Sequence, residues 1–358
     1  MTFRIANASV TSNIPPTVSV VVPVRDGAAT LPAVLTAIAE LAPAPLEVIV
    51  ADDGSRDESV AVARSFGATV VEVASPGGPA AARNAGARGA RGDVVMLVDA
   101  DVVVPPSAIA VVRRRLASSP GLAGVQGVYA AEPTYPTPWT LYQQAYYHHY
   151  FCKVYDRTEA VLATYCTALR RDLFLATGGF DETLRAPTVE DEHLGYRFHD
   201  QGYRIRLAPE LEVRHLVSYS WRSFARRRFR MVAAQSRMIR DDPRRLANVL
   251  GRHGHHPRNV LLGVALLPLL AASLLLGGWA PDWAPLPWML FGACHLGFWD
   301  FVRQRWGWRE LLQVMGITLL DSAVIAVAGV GGLAGWRLAA QQPVRATPSK
   351  KSEESPCA

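Results

Sequence analysis

The chain has 358 residues, with 37 Lys+Arg against 31 Asp+Glu and four cysteines. That length suits one large or two modest domains. Cys152, Cys166, Cys294 and Cys357 show neither a CxxC spacing nor an even framework, which argues against a disulfide scaffold and reads as reduced thiols with at most a structural role. The basic excess is uneven: seven arginines fall between Arg222 and Arg240. Such a cluster suits nucleic acid or an anionic membrane surface. The apolar segments further on favour the membrane, and no nucleic-acid partner is expected. MTFRIANASVTSNIPP, at the start, has no apolar run after a basic opening, so no secretory signal is expected and the first domain is placed in the cytoplasm.

Residues 1–16 are expected to form a flexible N-terminus. VSVVVPV (Val18–Val24) is a continuous apolar run of strand length, which suits a strand covered on both faces. ATLPAVLTAIAEL follows, with Leu31, Val34, Leu35 and Ile38 at helical spacing and Pro32 in the first turn, where proline is tolerated. LEVIVA (Leu46–Ala51) is a second strand. It stops at DDGSRDES, where Ser55 and Glu58 fit a capping box for the next helix. ATVVEV (Ala68–Val73) and DVVMLV (Asp93–Val98) are further strands. This rhythm predicts an α/β domain over 17–217, a mostly parallel sheet with helices on both faces and right-handed crossovers.

In such sheets ligands sit at the carboxyl ends of the strands. Three of those ends carry Pro23–Asp26, Asp52–Asp53 and Asp99–Asp101. DDGS is also ordinary turn chemistry, but that explains one pair and not the set. MLVDADVVVP poses the sharpest question, because it reads as a buried strand with two carboxylates inside it. A bare buried carboxylate is costly and takes a proton or a partner. Asp99 and Asp101 are two apart, so on an extended segment they point to one side. Paired oxygen donors of that kind suit Mg²⁺ or Mn²⁺, whose shell would be completed by water and substrate phosphates.

VSVVVPVRDGAATLPAVLTAIA, VIVADDGSRDES, GGPAAARNAGARGARGDVVMLVDADVVVP, TGGFDETL and VEDEHLGYRFHDQGYRI, in this order, resemble glycosyltransferase family 2 with its Rossmann-like GT-A nucleotide-sugar fold. The resemblance runs from about Val18 to about His215. It implies that Pro23 and Arg25 line the nucleotide pocket and that Asp53 recognises the base. Arg83 would lie near the nucleotide, and Asp99 would contact ribose or sugar. Asp101 would be the metal ligand holding the diphosphate, with His215 as a further metal or phosphate contact. Gly178, Gly179, Phe180 and Asp181 match the loop under donor sugar and acceptor. Glu190 and Asp191 match the family's Glu-Asp pair, with Asp191 as general base. Glu190, Asp191 and Glu192 also suit the acidic first turn of a helix.

SYSWRSFARRRFRMVAAQSRMIR (Ser218–Arg240) reads as an amphipathic helix, within a basic interfacial region 218–259, with Trp221, Phe224, Ala225 and Val232 as its apolar stripe. The resemblance places a basic helix here over the diphosphate, through Arg227, Arg228 or Arg230. His253, His255 and His256 read as a basic linker rather than a metal cluster. Within 260–337, three membrane spans are expected at about 260–280, 284–301 and 311–336. Asp321 should then face protein, His295 or a backbone group. The tail 338–358 is expected to be disordered. The arginines before Val260 place that side in the cytoplasm.

Together these features imply a membrane-anchored, inverting, metal-dependent transferase. Its donor would be a nucleoside-diphosphate sugar and its acceptor a lipid or lipid-linked saccharide. A Q-x-x-R-W signature, found in processive polysaccharide synthases, is absent here, so transfer of one sugar is expected. The alternatives are the catalytic subunit of a polysaccharide synthase and a nucleotide-sugar-binding scaffold without turnover.

Overall fold

A computed structural model describes residues 15–73, 77–154, 162–184, 188–250, 257–276 and 282–335. Most of the expected flexible N-terminus, the tail 338–358 and the histidines 253, 255 and 256 lie outside the described residues. In chain order the elements begin β1 (Val18–Val24), α1 (Leu31–Ala39), β2 (Glu47–Asp52), α2 (Ser59–Ser65), β3 (Thr69–Glu72), α3 (Pro79–Gly89), β4 (Val94–Val98) and β5 (Val102–Val103). They continue with α4 (Ala108–Ser118), β6 (Leu122–Tyr129), α5 (Pro138–His149), β7 (Cys166–Arg170), α6 (Arg171–Ala176), α7 (Glu190–Asp200) and β8 (Arg204–His215). The last are α8 (Trp221–Asp241), α9 (Arg245–Leu250), α10 (Arg258–Ala265), α11 (Leu267–Leu276), α12 (Leu286–Trp306) and α13 (Trp308–Leu333). They form two compact units, one drawn from Met1–Asp26, Ala33–Val128 and Arg157–Val213, the other from Gly27–Pro32, Tyr129–Asp156 and Arg214–Ala358.

The sheet runs β3-β2-β1-β4-β7-β6-β8-β5. β3, β2, β1 and β4 pair in parallel. β4 then pairs antiparallel with β7, and β7 antiparallel with β6. The expected parallel sheet therefore holds for its first half, and β7 turns the second half mixed. Every residue of β1 is buried, as its unbroken apolar run requires. Burying each such valine stabilises by about 1.5–3 kcal/mol. α3 is built for close approach: Ala80, Ala82 and Ala87 are fully buried, and Ala80 and Ala87 join Val21, Ile49 and Leu97 in one core cluster. That packing also carries Arg83 and Asn84 into the interior.

Two local expectations fail. The capping box does not form: Glu58 precedes α2 without a side-chain cap bond, and Asp57 accepts from the Ser59 amide instead. Asp52 closes an Asx-type turn onto the amides of Gly54 and Ser55. The stretch MLVDADVVVP is not one strand. β4 stops at Val98, and the Val102 amide bonds the Asp99 carbonyl at 3.0 Å. Asp99–Asp101 is thus a turn, and alternation along an extended chain does not set where its side chains point.

In the second unit, Ser220 and Ser223 form a reciprocal capping box that starts α8. Phe224 and Val232 of its expected apolar stripe are buried, whereas Trp221 is exposed. Among the described residues two helical stretches are long and apolar enough to cross a membrane, Arg258–Leu276 and Trp308–Leu333. The middle segment expected to span forms α12, which ends in Asp300, Arg303 and Arg305 and does not qualify.

Candidate active site

The site residues of the first unit gather where β1, β2 and β4 end. The reason is topological: parallel strands bring their carboxyl ends to one edge. Arg83 is the hub. From buried α3 its guanidinium donates to Asp99 at 2.9 Å and to Glu190 at 3.0 Å. Its side chain is 5% exposed, that of Glu190 5% and that of Asp99 27%. Burial alone would disfavour the charge on Arg83, but Asp99 and Glu190 outweigh it and its pKa is raised. The positive partner of the DAD aspartates is therefore Arg83, at least for Asp99. The planar fork of arginine allows one side chain to hold two carboxylates at once.

Glu190 and Asp191 open α7, with Glu192, as an acidic first turn. Glu190 is also fixed by the Thr188 amide at 2.8 Å. Asp191 accepts from the Glu192 amide at 2.9 Å. Burial, and then the charges of Glu190 and Glu192, hold the Asp191 pKa well above the ordinary carboxylate value, against the pull of Arg83. A carboxylate so raised is a stronger base than a solvated one, which is what abstraction of a hydroxyl proton requires.

Asp53 is buried and saturated with donors. The amides of Gly77 and Gly78 reach it at 2.7 and 3.0 Å, and Arg25 at 3.3 Å. Asp53 and Arg25, named separately from sequence, are one ion pair that also anchors the entry to α3. Pro23 lies within β1, opposite Ala51 of β2.

The Gly178–Asp181 loop is clamped by a residue to which the sequence reading assigned no role. Asn84 donates to the Phe180 carbonyl at 2.9 Å and accepts from the Phe180 amide at 2.8 Å. Gly179 has φ +65°, and a Cβ there would lie 2.4 Å from Asn84 Oδ1, so only glycine fits. Arg197 of α7 donates to the carbonyls of Thr177 and Gly179. Arg83 lies 5.7 Å from the Phe180 ring centre. Asp181 folds back on Thr183, and those hydrogen bonds lower its pKa. The only sequence signal for Asn84 was its place beside Arg83 in AARNAG.

Asp101 is half-buried on the β4–β5 turn. Among the described residues no three His, Cys, Asp or Glu side chains gather as a ready metal cage. The donor set of Asp99 and Asp101 still fits Mg²⁺ or Mn²⁺, which commonly takes one or two protein carboxylates and fills its shell from phosphate and water. His215 is buried in the second unit, stacked 4.8 Å from Tyr129 and edge-on to Tyr219, a packed aromatic environment. Arg227 is exposed and Arg230 half-buried.

Arg228 corrects an expectation. It does not present itself to a diphosphate, because its Nε donates to Asp321 at 2.7 Å with both side chains 2% exposed. Tyr142 donates to the other Asp321 oxygen at 2.9 Å. Asp321 therefore faces protein, as expected, but its partners are Arg228 and Tyr142 rather than His295. His295 packs against Phe291 and Trp299.

The profile of the family described as "Glycosyltransferase like family 2" matches residues 15–234. The chain belongs to this family. No curated protein matches the glycosyltransferase in sequence. Among solved structures it is similar to the mannosyltransferase PcManGT from Pyrobaculum calidifontis, in complex with GDP-Man and Mn²⁺. That likeness has a TM-score of 0.55 at 20% identity and covers 91% of this chain and 89% of that one. It is also similar to glucosyl-3-phosphoglycerate synthase from Mycobacterium tuberculosis in complex with phosphoglyceric acid, at TM-score 0.44 and 20% identity, over 61% of this chain and 78% of that one. The α/β sheet of this glycosyltransferase is thus of the GT-A type, followed by two helical stretches apolar enough for a membrane.

Proposed function

We propose that this glycosyltransferase moves a sugar from a nucleoside-diphosphate sugar to a hydroxyl group, with inversion at the anomeric carbon. The reading rests on one observation: Arg83 ties Asp99 to Glu190, beside an Asp191 whose pKa burial and like charge have raised. Asp191 accepts the proton of the acceptor hydroxyl as the new glycosidic bond forms on the face opposite the departing diphosphate. General-base help of this kind contributes roughly 10²–10⁴-fold. Arg83 holds Glu190 and Asp99 in place, and the Asn84-held loop at Phe180 supports the sugar. Asp53 and Arg25 line the nucleotide side.

Asp101, with Asp99, would hold the Mg²⁺ or Mn²⁺. Such an ion, when bound, supplies charge neutralisation for the leaving diphosphate. The fold relative PcManGT was solved with GDP-Man and Mn²⁺, which supports the same classes of donor and ion here.

The acceptor in this reading is a lipid or lipid-linked saccharide, met at the cytoplasmic face of the plasma membrane. The support is the pair of apolar stretches and the arginine-rich α8. The test is release of nucleoside diphosphate from a panel of nucleotide sugars by membranes holding the full chain. Release should occur with one donor class, stop on chelation, return with Mn²⁺, and be lost in Asp101→Ala. Release that survives both chelation and Asp101→Ala rejects the metal assignment. Binding of a nucleotide sugar with no release from any donor favours the scaffold.

A further inference from the structure

α13 is apolar enough to cross a bilayer, yet its neighbour within the second unit cannot follow it. Contacts run along both helices in the same direction. Arg228 meets Asp321, Ser236 lies against Gly329, and Arg240 lies against Gly335 just past the end of α13. Between them the helices nearly touch: a Cβ on Gly332 would stand 2.5 Å from the Ala233 carbonyl oxygen. From Asp321 to Gly335 is about 20 Å of helix at 1.5 Å per residue. Wherever that length of α13 goes, the Arg228–Arg240 half of α8 goes too.

That half of α8 also carries Arg230, Arg237 and Arg240, none of them buried. Arginines inside the hydrocarbon layer are costly and rare. A crossing α13 would bring them through that layer alongside it. An in-plane pair avoids this cost. α13 has two faces: Val314, Ile317, Asp321, Ile325 and Ala328 are buried, while Leu312, Leu320, Ala323, Val327, Val330 and Leu333 are exposed on the other. α8 exposes Arg222, Arg226 and Arg240. An apolar stripe beside an arginine stripe suits the boundary between acyl chains and anionic headgroups.

We infer that α13 does not cross the membrane but lies in its plane beside α8, its leucine and valine face on the acyl chains of an anionic lipid surface. This rests on the membrane attachment proposed above. Of the two apolar stretches, only α10–α11 then enters the bilayer, and because α8 before it and α13 after it pack side by side, the chain returns to the same side before α13 begins. The ends of α13 accordingly lie on one side.

The test uses the full chain in sealed membrane vesicles of both orientations. Cys152, Cys294 and Cys357 are replaced by serine, and single thiols are placed at the two ends by Arg309→Cys and Ala334→Cys, both at exposed positions. Gln304→Cys, also exposed, serves if Arg309→Cys does not accumulate. A membrane-impermeant maleimide should label both ends in the same vesicle orientation and neither in the other. Labelling of the two ends in opposite orientations overturns the in-plane placement while leaving membrane attachment intact. Recovery of the chain in the wash, with no vesicle-bound fraction, overturns membrane attachment and this inference together.

Discussion

Arg83 in the first unit and Arg228 in the second are both buried, and in both the pull of a carboxylate outweighs the burial penalty and raises the pKa. Their surroundings differ in kind. Arg228 is closed in by one carboxylate and by aromatic rings, with Tyr146 and Phe224 at 5.1 and 5.4 Å. Tyr142 shares that carboxylate, and burial and the Asp321 charge push its pKa up, so it stays a donor. Arg83 holds two carboxylates, and one of them, Asp99, is 27% exposed. A sealed ion pair fixes packing. A pair open on one side, next to a carboxylate of raised pKa, can answer to a ligand. An arginine's position in a basic run therefore says little about whether it binds phosphate; its burial and partners say more.

The comparison breaks first at Arg228. Arg228→Ala leaves Asp321 as an uncompensated buried charge, and the expected cost is about 3–5 kcal/mol in unfolding measured in detergent. Arg228→Met with Asp321→Leu should recover most of that loss, because an apolar pair removes both charges together. If the single change costs no more than a surface substitution, the sealed pair is not the structural element described.

Arg83→Lys keeps the charge but loses the fork that spans Asp99 and Glu190. Losing one charge-assisted bond, about 1.5–3 kcal/mol, should reduce turnover by roughly ten- to a hundredfold, with a smaller fall in stability than at Arg228. Equal losses of stability at both sites, with turnover kept, would erase the distinction. Asn84→Ala removes both bonds to the Phe180 backbone and should cost about 1–3 kcal/mol, read as a lower melting temperature.

The smallest effect sharpens the first unit further. A raised Asp191 pKa means that the folded chain binds more protons than the unfolded chain as pH climbs past the ordinary value of 3.8. Stability is full below that value and is lost as pH rises through the folded pKa. Asp191→Asn should therefore melt at a slightly higher temperature than the parent at neutral pH. The gap should close on acidification towards the ordinary carboxylate range.

Much of the first unit was legible because its strands are unbroken apolar runs that match their elements closely, as at Val18–Val24. The strand-end aspartates stood out for the same reason. What stayed hidden was long-range. Arg83 and Glu190 are 107 residues apart, and Arg228 and Asp321 are 93 apart; periodicity carries no information at that separation. The Asp99–Asp101 turn was masked by valines on both sides. β7 was missed because CTALR is a short run inserted antiparallel by topology, not by pattern. The basic helix was legible as a helix from its spacing, but not the one arginine that turns inward.

The central claim is that Asp191 is the base, positioned beside the Arg83-bridged carboxylates. The most direct measurement is turnover of Asp191→Asn against its affinity for the donor nucleotide. Turnover should fall by roughly 10²–10⁴-fold with nucleotide affinity retained, and the acid limb of the parent's pH–rate profile should lie above the ordinary carboxylate range. A variant that turns over like the parent would contradict the assignment.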